Sequence, residues 1–150
     1  MPDTEITSGV PDSLKDVTPN PWIEVLKLRH GEDRSFAHVI ESKVLTAVPA
    51  EFPELEKRLI AILKNKNASL LAKEFACRML ALIGSEACVP VVAPLLSNKQ
   101  LAHFARMALA PISGKKVDTA LREALPKISG PEKQGLLATI ASREKKLSAL

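Results

Sequence analysis

Apolar residues recur along the chain at helical spacing, in short runs separated by polar breaks. Asn20-Pro21 opens the first run. Asn is a helix N-cap, and Pro at the first helical position gives up only an N–H that would have no intrahelical partner. Trp22, Val25, Leu26 and Arg29 then share a face, and Gly31 ends the segment. A second helix is predicted over 34–47, with Phe36, Val39, Ile40, Val44 and Leu45 apolar and Pro49 beyond its end. A third is predicted over 53–63, with Leu55, Leu59, Ile62 and Leu63 inward. Leu70, Leu71, Phe75, Met79, Leu80 and Ile83 mark a fourth, ended by Gly84. Ser85 caps a fifth running through Val89, Val92 and Leu95-Leu96, and Asn98 caps a sixth through Leu101, Ala105 and Ala108-Leu109. A seventh spans about 115–125, an eighth carries Leu136, Leu137 and Ile140, and residues 143–150 begin a ninth. Pro94 predicts a kink or a late start in the fifth helix, and Pro111 a distorted last turn in the sixth.

These helices repeat. Ala76 and Met79-Leu80 stand where Ala105 and Ala108-Leu109 stand 29 residues later, and Gly84 recurs as Gly114. Val89, Val92 and Leu95-Leu96 recur as Val117, Leu121 and Ala124-Leu125, and Gly135, Ala138 and Ile140 continue the series. The unit is a helix pair of about 30 residues, a period that signals a solenoid. Each pair has an apolar face that only a neighbouring pair can bury. The expectation is an all-α fold, an α-α superhelix over 20–150 with pairs at about 34–64, 68–97, 98–127 and 130–150, preceded by a flexible arm over 1–19.

The segments FACRMLALIGSEACVPVVAPLLSN and LAHFARMALAPISGKKVDTALREAL resemble HEAT-like repeats of the phycobilisome-lyase type. The matching positions are Ala105, Ala108-Leu109, Gly84, Val89-Pro90 and Leu95-Leu96, and the resemblance is clearest over 68–142. It implies a superhelical fold and protein binding, with the second helix of each pair lining a concave face, in a larger bacterial protein. It does not imply lyase activity, since most such arrays are not lyases, and no catalytic residue is carried over.

Composition narrows the class. Of 150 residues, 46% are hydrophobic and 25% charged, which suits one globular domain. Four Phe, one Trp and no Tyr argue against strands. The longest run without a polar side chain, Ala87 to Leu96, holds two prolines and is too short for a membrane span. Asp3, Glu5, Asp12 and Asp16 interrupt any signal-peptide pattern, which predicts a cytoplasmic protein. Charge is segregated: residues 1–56 carry five Lys/Arg against eleven Asp/Glu, and residues 57–150 carry sixteen against six. The net +4 is therefore an acidic front and a basic back. Leu147 and Leu150 lie on an apolar face near the C-terminus with no polar cap after it. That pattern predicts a piece of a longer solenoid, or an end that packs on itself or on a second copy.

Candidate chemistry is sparse. There is no phosphate-binding glycine loop, nucleophile elbow or metalloprotease motif. Cys77 and Cys88 sit among apolar neighbours and read as buried thiols, since a zinc site needs two further ligands at short spacing. No metal or cofactor is expected. Glu56, Asp118, Arg122 and Glu123 are candidate concave-face binding residues, although Asp118 and Arg122 are also spaced for an i,i+4 surface pair. Arg78, His103 and Arg106 read either as inter-repeat structural residues or as a groove facing an acidic ligand. Three functions compete on this basis. The first is a non-catalytic module that binds a protein or peptide on its concave face. The second is nucleic-acid backbone binding through the basic half, against which stands the scarcity of stacking aromatics. The third is a tetrapyrrole lyase-like enzyme.

Overall fold

A computed structural model describes residues 20–148; the expected arm over 1–19 and the last two residues lie outside them. The described residues form eight α-helices and no strand. They are α1 (Pro21–Glu24), α2 (Ser35–Thr46), α3 (Phe52–Lys64), α4 (Leu70–Ile83), α5 (Val89–Val92), α6 (Ala102–Leu109), α7 (Lys115–Ala124) and α8 (Gly130–Ser148). No helix among the described residues is long and apolar enough to cross a membrane.

Local chemistry sets the ends of these helices. The Asn20 side chain accepts from the Trp22 N–H at 2.9 Å, so the Asn-Pro start forms as its sequence directs. Ser69 caps α4 by accepting from the Ala72 N–H, while its own hydroxyl donates to the Leu28 carbonyl at 2.6 Å. That residue thus starts one helix and anchors it to the chain after α1. Pro94 neither kinks the fifth helix nor delays its start, the two effects that the sequence predicts, but cuts it short. Regular α geometry ends at Val92, and the backbone tightens into a 3-10 turn over Ala93–Ser97. Asn98 accepts from the N–H groups of Gln100 and Leu101, capping the turn that leads into α6 rather than α6 itself, whose first residue is Ala102.

Neighbouring helices pack in two rows. In one, α2 lies on α4, α4 on α6 and α6 on α8; in the other, α3 lies on α5 and α5 on α7. Cross-row contacts join α3 to α4, α5 to α6 and α7 to α8. The core between the rows is continuous, from Val25 and Ile40 through Leu59, Leu80, Leu96, Leu109 and Leu121 to Leu136 and Ile140. Each helix buries one stripe against its neighbours, which is why no unit has a closed core of its own. Ala76 and Ala105 lie fully buried where α4 and α6 meet, small enough for close approach.

The C-terminal region corrects the expectation of a ninth helix. Residues 130–148 form one unbroken helix. No Gly or Pro follows Gly135, so the helix meets no stop signal. Arg143 stands 29 residues after Gly114 and 59 after Gly84, at the place where each earlier unit turns.

Both cysteines are free and buried. Burial pushes the Cys77 thiol up to about 12, reinforced by Cys88 and Glu74, and burial followed by the Glu56 carboxylate does the same at Cys88. A thiolate is the reactive form, so neither thiol reacts readily in the folded protein. A disulfide reagent at pH 8 is expected to modify neither cysteine in the native protein and both in denaturant. One thiol that reacts rapidly under native conditions would contradict this burial.

Candidate functional site

Carboxylates link each unit to the next along one edge of the stack. Glu56, on α3, is only 4% exposed and points at the turn after α4. It accepts from the Ser85 N–H at 2.7 Å and from the Ser85 hydroxyl at 2.8 Å. Glu86, just after that turn, reaches the next turn and accepts from the Lys116 N–H at the start of α7. Asp118, on α7, reaches α8 and accepts from Arg143 Nε at 2.7 Å and Nη2 at 3.2 Å. In the first two cases an acid satisfies an amide that a helix start or turn leaves without an intrahelical partner. In the third, a guanidinium replaces the amide.

Arg143 does more than pair with Asp118. Its Nη1 donates to the carbonyls of Ile112 at 2.6 Å and Ala110 at 2.9 Å. Arg143, 9% exposed as a residue, therefore closes the C-terminal end of α6, whose last carbonyls point out of the helix. A planar fork with five donors suits such divided duty.

Hydrogen bonds from Arg143 hold the Asp118 carboxyl below its ordinary range, against the partial desolvation that acts the other way. A folded-state value below the unfolded one adds stability that is present above the ordinary carboxylate range. It is lost as pH falls from about 4 through the depressed folded value. Asp118→Asn is expected to flatten this part of the acid-unfolding curve and leave the neutral-to-alkaline limb unchanged in shape. An acid limb identical to that of the parent protein would show that the pair contributes nothing to it.

A cleft of about 450 Å³ opens beside this pair, between the α6–α7 turn and the last turns of α8. Pro111, Ile112 and Leu147 line it together with Lys115 and Lys146. Leu147 is 60% exposed. Among the described residues neither lysine forms an ion pair. Further along the same edge, a groove runs between the turn at 84–87 and the turn at 111–113.

The other candidates from the sequence are dispersed. Arg122 forms an ion pair with Glu144 across α7 and α8, not with Asp118 on its own helix. Glu123 lines a separate groove with Pro90, Pro94 and Lys127. Arg78 lies over the Phe75 ring, 5.8 Å from its centroid. The Arg106 guanidinium lies against Gly135 on α8, where a Cβ would come within 2.5 Å of Cζ. His103 is exposed, with its ring edge-on to Phe104. Arg106 thus bridges successive units, while Glu56 and Asp118 are engaged inside the stack. The sequence reading did not single out Arg143, Glu86 or Ser85 as partners in this edge. The 29-residue spacing that puts Arg143 at a turn-glycine position was the available signal for it.

No protein family, curated protein or solved structure matches the chain. Among the described residues no group of three His, Cys, Asp or Glu side chains is placed to hold a metal ion. The described residues define an all-helical protein whose neighbouring helices pack in sequence order, compatible with an α-helical repeat fold.

Proposed function

We propose that the chain is a non-catalytic protein-binding module built as a HEAT-like superhelix, and that its turn-bearing edge takes part in binding. The observation that carries this reading is the cleft at 110–115 and 143–147, lined by the exposed apolar Leu147 together with Lys115 and Lys146, which form no ion pair among the described residues. An exposed apolar side chain with lysines in the same cleft suits a peptide that offers one apolar anchor and flanking carboxylates. The two-row packing supports the repeat reading, because helix pairs that stack on neighbours leave their edges and turns open along the length of the array. Glu123 and Arg122, on the exposed side of α7, are further binding positions on the concave face that the HEAT resemblance implies.

Capture from native lysate on the immobilised full chain tests the proposal, run with and without nuclease and alongside the variant Lys115→Glu/Lys146→Glu. A stoichiometric protein that survives nuclease and is lost with the double variant supports the reading. The basic balance of residues 57–150, with Lys115, Lys116, Lys145 and Lys146 near one edge, favours a second reading as a nucleic-acid backbone binder. Material released by nuclease, with duplex DNA binding that weakens steeply with salt, would favour that reading over the first.

A further inference from the structure

We infer that the cleft between the α6–α7 turn and α8 is the docking site for the α2–α3 turn of a second copy of this chain. The inference rests on the reading of this cleft as a peptide-binding site. The α2–α3 turn has what that reading asks of a partner, exposed apolar side chains beside carboxylates. Leu45 is 65% exposed and Val48 57%. No basic residue lies between Lys43 and Lys57, and Glu51 and Glu54 are both exposed. The Glu51 carboxylate accepts from the Val48 N–H at 2.9 Å, which holds a negative charge beside Val48. Glu54 reaches Arg58 at 3.7 Å on the open surface, where such a pair is worth little. Pro49 opens the 3-10 turn Pro49–Glu51 and Pro53 lies in the first turn of α3, so the backbone here is already restrained. A restrained segment loses little conformational entropy on docking.

The cleft has the opposite character. Lys115, Lys146 and Leu147 line it and are exposed, and Lys116 and Lys145 stand next to them in sequence. The acids of this region are engaged, Asp118 with Arg143, Glu144 with Arg122, and Glu86 with the Lys116 N–H. The lysines therefore set the sign of what enters. Position makes the contact intermolecular. Both surfaces lie on the turn-bearing edge, and the α4–α5 turn stands between them, joined to α3 through Glu56 and to α7 through Glu86. Two helix-to-helix steps of about 8–10 Å each separate the α2–α3 turn from the α6–α7 turn. The continuous core holds them apart within one chain. A contact between unlike surfaces leaves one of each kind open at the ends, so it continues from copy to copy unless the rotation closes a ring.

Sedimentation velocity of the full chain at low salt is expected to show a mass that rises with concentration beyond the monomer. Association should weaken at least about threefold at 0.5 M salt, where the screening length is only a few ångströms. Two variants separate the surfaces. Leu45→Asp/Val48→Asp spoils the turn and leaves the cleft intact, and Lys115→Glu/Lys146→Glu does the reverse. All four substituted side chains are exposed, and circular dichroism checks that each variant is folded. Each variant alone should be monomeric, and an equal mixture should form a one-to-one complex that grows no further. A parent chain that stays monomeric at low salt, a folded variant that assembles as well as the parent, or variants that do not complement one another overturn the inference. Lysine-dependent capture of an outside protein would in that case still uphold the binding reading, and its loss as well would end both, so the two failures are distinguishable.

Discussion

Replacing Arg143 with alanine is expected to lower stability by about 3 kcal/mol, among the largest effects of any single polar substitution in the molecule. The guanidinium is buried and donates to the carbonyls of Ala110 and Ile112 and to both oxygens of Asp118. Its loss leaves a carboxylate and two carbonyls without partners at the junction of α6, α7 and α8. Such groups cost more orphaned than the bonds contribute when made. Asp118 is partly exposed and can recruit water, which holds the estimate at the lower end of the range for buried pairs. Urea unfolding should show the midpoint reduced by roughly 1–2 M. Arg143→Lys should recover little, because an ammonium on a flexible stem cannot divide its donors between a carboxylate and a helix end. A midpoint within experimental error of the parent protein would mean that α8 is held by its apolar stripe alone.

Gly114→Ala is expected to cost about 2–4 kcal/mol through two separable effects. The backbone there has φ +127° and ψ +151°, a region that only glycine occupies without strain. A Cβ would also run into the Glu86 carboxylate, which accepts from the Lys116 N–H at the start of α7. The new methyl therefore strains the turn and dislodges the cap. A double-mutant cycle with Glu86→Ala separates the two effects. In that background the steric part vanishes and the backbone part remains, so Gly114→Ala should cost about 1 kcal/mol less than in the parent. Equal costs in both backgrounds would show that Glu86 yields freely and that the turn's conformation alone is at stake.

Most of the helical order was legible because it depends on local rules. Leu70–Ile83 forms as its period of apolar residues requires, started by Ser69 and ended at Gly84. The tightening around Pro94 follows from a missing N–H and a ring that crowds the preceding turn. Helix α8 was harder. Its apolar residues fit two short helices as well as one long one, and the decisive fact was the lack of any residue able to stop it. The candidate site was the least legible part. Glu56 has the pattern of a surface acid on an amphipathic helix, and its burial follows from a partner 29 residues away that no local period reveals. Likewise Asp118 lies four residues before Arg122, yet it takes Arg143 from another helix. Tertiary geometry chose the buried, forked partner over the exposed one, whose i,i+4 pairing is worth only a few tenths of a kcal/mol.

The carboxylate links have a consequence for how the array opens. The Ser85 amide is held by Glu56 and the Lys116 amide by Glu86, each an acid from the preceding unit. Hydrogen exchange at either amide therefore requires the neighbour's grip to loosen, even while the helix that the amide precedes stays folded. These two N–H groups act as reporters of motion between units. Exchange at the Ser85 amide tracks separation of α3 from the turn after α4, and exchange at the Lys116 amide tracks separation of one turn from the next. If the stack breathes by hinging at its junctions, these amides exchange before the helix interiors on either side; if it opens only by melting whole units, they exchange with them.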